Sequence, residues 1–238
     1  MNPTTRKVLE ELKSLGQESC KKLLMRNYDV REPCFGVKIG DMKKIQKRIK
    51  KDHQLALELY ETGNYDAMYF AGLIAEDARM TRTDLQQWAE KAYAGALPGA
   101  TVAWVAAGSP HGWEMALKWI RSSKSHVASA GWITLACVVA LQEDSKLDLA
   151  ELKRLIERVR KSIHQAPDAA RYAMNSFIIA VGCYVKPLSV SALQAGERIG
   201  PVTANLGNNQ CQIPFAPDYI RKVEKRGSIG KKRKTVKC

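Results

Sequence analysis

Apolar residues recur along this chain at three- to five-residue intervals and almost nowhere alternate. That period places them along one face of a helix, so it restricts the chain to all-α folds. Within residues 5–25 the spacing is carried by Val8, Leu12, Leu15, Cys20, Leu23 and Leu24, and Met42, Ile45 and Ile49 follow at i, i+3 and i+7. The pattern returns at Leu55–Leu59, Tyr69–Ala75, Leu85–Ala92, Met115–Ile120, Val127–Val139, Leu149–Val159 and Tyr172–Val181. Each predicts a helix of roughly 8–18 residues. Between them stand caps and breakers: Gly40-Asp41, Gly63-Asn64, Thr81, Pro98-Gly99, Ser109-Pro110, Asp148, Pro167-Asp168 and Pro187. The best strand candidate, Pro201–Leu206, is short.

About ten to twelve short helices joined by tight turns leave a compact bundle or a solenoid of helix pairs. Residues 125–140 and 169–185 favour the solenoid. Both carry Ala, Ser and Gly on one face and large apolar residues on the other, as closely stacked helices require. The expected fold class is therefore all-α: a HEAT-like helical-repeat solenoid, an α-α superhelix of degenerate repeats. Residues 1–200 are expected to form the repeat domain, and 201–220 an ordered wrapping loop with a short helix. Residues 221–238 read as a basic, mobile tail that only a polyanion would order.

The net charge of +14 sits in two stretches. Residues 38–51 carry seven Lys/Arg against one Asp, and residues 221–238 carry nine against one Glu, so the remaining residues sum to zero. Concentrated cationic patches attract polyanions, nucleic acid before membrane surface. Read as a helix capped by Asp41, residues 41–51 bury Met42, Ile45 and Ile49. Lys43, Lys44, Lys47, Arg48, Lys50 and Lys51 then line one exposed surface that Lys38 extends. Lys231, Lys232, Arg233 and Lys234 in the tail suit phosphates without sequence preference; a solubility tail or address signal is the other reading. Arg121 and Lys124 stand among Ser122, Ser123 and Ser125 at a helix start, a third phosphate candidate or an ordinary polar turn.

Motifs of familiar enzymes are missing. The four His lie far apart, no Cys/His spacing matches a zinc site, and no phosphate-binding glycine loop or nucleophile elbow occurs. Neither a metal nor a cofactor is expected. The six scattered Cys read as reduced thiols of a cytoplasmic protein. The amphipathic start carries no leader pattern, and no apolar run is long enough to span a bilayer. Trp104 and Trp113 flank a turn containing His111, and Glu76 and Asp77 end an otherwise apolar helix. These five are the candidates for base stacking and acid–base chemistry, against a plainer reading as core aromatics and a charge cluster with Arg79.

The segment Phe35-Gly36-Val37-Lys38-Ile39-Gly40-Asp41-Met42-Lys43-Lys44-Ile45 resembles the entry motif of the DNA alkylation repair family. Lys118-Trp119-Ile120, the helix Val127–Val139 and Ala170–Phe177 resemble it too, over roughly residues 20–185. The resemblance implies HEAT-like helix pairs with a concave basic face that holds DNA, and it adds Arg171 as a basic position. It also implies glycosylase chemistry, the release of N3- and N7-alkylated purines with help from Trp and Asp side chains. This chain departs from that pattern. Where the family carries a Trp-Trp-Asp segment, residues 101–106 keep only Trp104, and no acid lies between Glu90 and Glu114. The family's Arg and later Trp fall near Ser129 and Ser176. Losing an acid that stabilises a glycosyl cation should abolish that mechanism.

The expected function is therefore a monomeric helical-repeat protein that binds double-stranded DNA, alkylated or branched, through its backbone and shape. An alkylpurine glycosylase with a rearranged site and a scaffold for an acidic protein partner are the alternatives.

Overall fold

The computed structural model describes residues 2–205 and 212–237. These residues form thirteen α-helices and contain no strand. Residues 201–205 are irregular where a strand was the best candidate, and Leu206 lies outside the described residues.

The helices fall into two compact units. The first, residues 2–111, holds α1 (Pro3–Ser14), α2 (Glu18–Tyr28), α3 (Ile39–Ile49), α4 (His53–Glu61), α5 (Tyr65–Ile74), α6 (Arg82–Lys91) and α7 (Ala103–Gly108). The second, residues 112–205 and 212–237, holds α8 (Gly112–Trp119), α9 (Ser125–Leu141), α10 (Leu149–Ser162), α11 (Asp168–Tyr184), α12 (Ser189–Ile199) and α13 (Ala216–Lys225).

In the first unit α5 is the buried spine: every residue from Tyr65 to Ile74 is buried, which the apolar run from Ala67 to Ile74 anticipates. Tyr60 stacks on Trp88 with ring centres 4.0 Å apart, and its hydroxyl donates to Trp88 O at 2.7 Å. Thr81 and Asp84 close a capping box that starts α6. Pro98-Gly99, expected to break the chain, instead lies in a π-helical turn, Leu97–Val102, that runs into α7. The proline is tolerated in the first turn, where no N–H is needed.

The second unit is built on α9 and α11, each 17 residues long, with Trp132 and Phe177 in contact at 5.3 Å. The small residues on these helices are used for close approach. A side chain on Gly131 would strike Trp119 and Ile120, and one on Gly182 would strike Ile220 of α13. That last contact corrects the expected organisation. Residues 216–225 are a helix inserted into the second unit's core, with Ile220 only 1% exposed. The unit boundary falls at 111/112, not near 200.

Among the described residues no single helix is long and apolar enough to cross a membrane. One pair, α11 with α12, would pass by composition but bends by 114°.

Candidate nucleic-acid interface

The cationic helix α3 is set in place by a buried acid that sequence reading did not single out. Asp66, wholly buried on α5, accepts hydrogen bonds from the backbone N–H groups of Phe35 (2.6 Å), Gly36 (3.1 Å) and Val37 (2.8 Å). Three donors satisfy a carboxylate that would otherwise be costly to bury. They fix the strand of chain leading to Lys38, the N-cap of α3. Met42 and Ile45 then face the core, each 2% exposed, and Gln46 Nε2 donates to Leu73 O at the end of α5. The only signal in the sequence was an acid within an apolar helix, which by itself does not reveal its partners.

Asp41 was expected to cap α3. It lies inside the first turn and pairs with Lys44 at 2.8 Å instead, because the helix begins two residues earlier. The cations of this stretch then divide. Lys44 remains 80% exposed despite its pair with Asp41, and Arg48 is paired with Glu11 but still 64% exposed. Lys51 turns back to donate to Leu73 O and Ala75 O at 3.1 and 2.7 Å, closing the C-terminal end of α5. Lys43, Lys47 and Lys50 have no acidic partner among the described residues, and Lys47 and Lys50 are exposed. Lys38 is exposed beside them.

The second unit carries its own set. Ile220 anchors α13, Arg221 pairs with Glu197, and Lys222, Lys225 and Arg226 stand exposed with no acidic partner among the described residues. These three lie within the charged run, yet they were not named as anchors because the run was read as tail. Lys231 and Lys234 are likewise exposed and unpaired. Lys232 is not. Its ammonium, 9% exposed, donates to Val139 O (2.9 Å), Tyr184 O (2.7 Å) and Asp144 Oδ1 (2.8 Å). It therefore sits on the C-terminal carbonyls of α9 and α11, where helix dipoles favour a cation. Arg233 donates its backbone N–H to Ala140 O, and its side chain reaches Tyr184. The segment expected to be mobile is thus tied down at 232–233.

Arg121 and Lys124 are exposed before α9, where no side chain caps the helix. Arg171, expected to meet DNA, is committed internally. It donates to Ala166 O and Thr203 O and faces Asp168 at 3.6 Å.

Of the acid and aromatic candidates, Asp77 and Trp104 both lie at α7. Glu76 pairs with Arg79 at 3.0 Å, as the plainer reading held. Asp77 lies against α7: a β-carbon on Gly108 would come within 2.5 Å of Asp77 Oδ2. Trp104 stands one turn before Gly108 on the same helical face, half-buried and edge-on to Tyr69 at 6.2 Å. His111 donates its backbone N–H to Ser109 Oγ, and Trp113 is half-buried on α8 of the other unit. Among the described residues no three His, Cys, Asp or Glu side chains converge as a metal site.

Helical repeats bearing cations that no internal acid neutralises define a class of nucleic-acid-associated proteins, and the comparisons agree. The family model for DNA alkylation repair enzymes matches residues 8–205, so this chain belongs to that family. It is 32% identical over 196 residues to the uncharacterized protein Lin0241 of Listeria innocua, covering 81% of this chain and 84% of that one. Identity to the uncharacterized protein Lmo0209 of Listeria monocytogenes is 31% over the same length and coverage. A solved structure described as a new family of proteins related to the HEAT-like repeat DNA glycosylases, with affinity for branched DNA structures, superposes with a TM-score of 0.89. That chain is 36% identical, with 98% of this chain and 99% of the other covered. The fold is a HEAT-like repeat.

Proposed function

We propose that this protein binds distorted or branched double-stranded DNA through its phosphate backbone. The observation that carries this reading is the set of exposed cations with no acidic partner among the described residues: Lys47 on α3 and Lys50 at its C-cap, and Lys222, Lys225, Arg226, Lys231 and Lys234 in residues 221–238. A fold that merely solvates lysines pairs many of them at i, i+4, as Lys22 does with Glu18. These cations are free to release counterions from a phosphate chain. The affinity for branched DNA of the 36%-identical structure supports the same reading. The test is a salt titration of binding to a four-way junction. Each neutralised phosphate adds about 0.9 to the log–log slope, so a steep slope is expected, and it should shrink when Lys231 and Lys234 are changed to Ala. A slope near zero would refute the reading.

A second reading rests on the carboxylate of Asp77, which lies against Gly108 on the helix that carries Trp104. An indole and an acid on one surface suit a cationic, N-alkylated purine nucleotide, and the reaction would be its release by a glycosylase. The assay is liberation of 7-methylguanine or 3-methyladenine from alkylated DNA by wild type and by Asp77→Asn. No release above a heat-killed control removes this reading and leaves the first intact.

A further inference from the structure

The helix α2 is the one described α-helix with no buried residue. An isolated helix of this length would not persist in water, so its neighbours must hold it. It is held at its ends: Gln17 N–H donates to Gly36 O and Gly95 N–H to Tyr28 O, each at 3.1 Å, while Lys21 pairs with Glu32. The half-buried residues Cys20, Lys21, Leu24 and Asn27 recur with the helical period and mark the inner face. Ser19, Lys22, Leu23 and Arg26, at i, i+3, i+4 and i+7, are all exposed and mark the outer one. Leu23 is 44% and Met25 39% exposed there, and together with Ser19, Lys22 and Arg26 they line an open depression of about 710 Å³. Two large apolar side chains that folding does not use are thus displayed between Lys22, which faces Glu18 at 3.8 Å but is 76% exposed, and Arg26, whose Nε donates to Asn27 Oδ1 at 3.0 Å.

Regular duplex DNA offers such a surface little. Its bases are stacked and only edges and phosphates are presented. A branch point differs, because base-pair faces at the junction are open and ringed by phosphate. Apolar side chains, Leu and Met among them, wedge between base steps where proteins kink a duplex, and an already open base-pair face needs no unstacking. An acidic protein partner would also present apolar and anionic groups together. The position of α2 decides between them. Gln17 N–H donates to Gly36 O at 3.1 Å, and a β-carbon on Gly36 would strike Lys21, so the start of α2 lies against the segment that leads into Lys38, the N-cap of α3. The apolar strip thus belongs to the same unit as α3 and its exposed N-cap Lys38.

We propose that α2 is the branch-reading element, with Leu23 and Met25 packing on the exposed base-pair face of a DNA junction while Lys22 and Arg26 meet the flanking phosphates. This inference rests on the DNA-binding reading above and names what that surface would select.

The experiment uses the full chain and the paired variant Leu23→Ala/Met25→Ala. Both residues are exposed, so thermal melting is expected to match wild type. Affinity is measured for a four-way junction and for a linear duplex of equal length, and 2-aminopurine is placed at the branch. The expected result is a loss of about tenfold on the junction, under twofold on the duplex, and disappearance of the 2-aminopurine change that wild type induces. Unchanged junction affinity, or equal loss on both DNAs, overturns the assignment of α2 while leaving DNA binding in place. A wild-type dimer that the paired variant dissociates shows that a second copy covers α2, and also overturns it. Failure of wild type to bind either DNA removes both readings.

Discussion

Two charged side chains, Asp66 buried and Lys232 partly buried, show how single residues hold the cationic surfaces. Asp66 gathers three N–H groups from the Phe35–Val37 segment, and Lys232 gathers two helix-terminal carbonyls and Asp144. Removing one partner of such a site leaves the others desolvated and unsatisfied, which costs more than the bond was worth. Asp66→Ala is expected to destabilise the protein by about 3 kcal/mol in urea unfolding, because three donors lose their acceptor. Lys232→Met is expected to cost about 3 kcal/mol by the same measurement, since Asp144 is left beside two orphaned carbonyls. A loss below about 0.5 kcal/mol for Lys232→Met, the range of ordinary surface changes, would mean that the ammonium is not a structural clasp.

At the scale of elements, α3 is cationic for a reason separable from its packing. Met42 and Ile45 dock the helix, and Lys51 caps a neighbouring one, so neither task needs Lys43, Lys47 or Lys50. Changing those three to Ala should leave the melting temperature nearly unaltered and reduce the log–log salt slope for DNA binding by about 2–3. Arg171→Ala should do the opposite. It braces Ala166 and Thr203, so melting should fall while the slope stays the same. A slope lowered by Arg171→Ala would return that residue to the DNA-contacting set.

For the whole molecule, burial of thiols sets an alkaline limit. Burial pushes Cys34 up to about 12, aided by the Asp66 charge, and pushes Cys137 to about 12 and Cys183 to about 11. Their ordinary value is 9.0. A raised value in the fold means that the unfolded chain loses these protons first. The stabilisation is complete below pH 9 and is lost between pH 9 and about 12. Urea midpoints measured from pH 8 to 10.5 should fall, and Cys34→Ala/Cys137→Ala should flatten the decline. An equally steep decline in that variant would assign the effect to other groups.

Much of the architecture follows from local periodicity. The Met42–Ile45 stripe, the Thr81 cap and the small faces of α9 and α11 depend on neighbours a few residues away, and such patterns are legible along a single chain. The cationic runs are legible too, because charge is a property of composition. What each cation does is not. Lys231, Lys232 and Lys234 look alike in sequence, yet one is committed to carbonyls 48 and 93 residues distant. Arg171 looked like a DNA anchor until the loop it braces came into view. Asp77 lies 31 positions from Gly108 in the sequence, yet it rests against α7 where that glycine leaves room for the carboxylate. Sequence determined that the chain is all-helical, belongs with HEAT-like DNA alkylation repair proteins and carries excess positive charge. Tertiary structure alone decided which of those charges remain free for a partner, because hydrogen bonds between distant segments consume the rest.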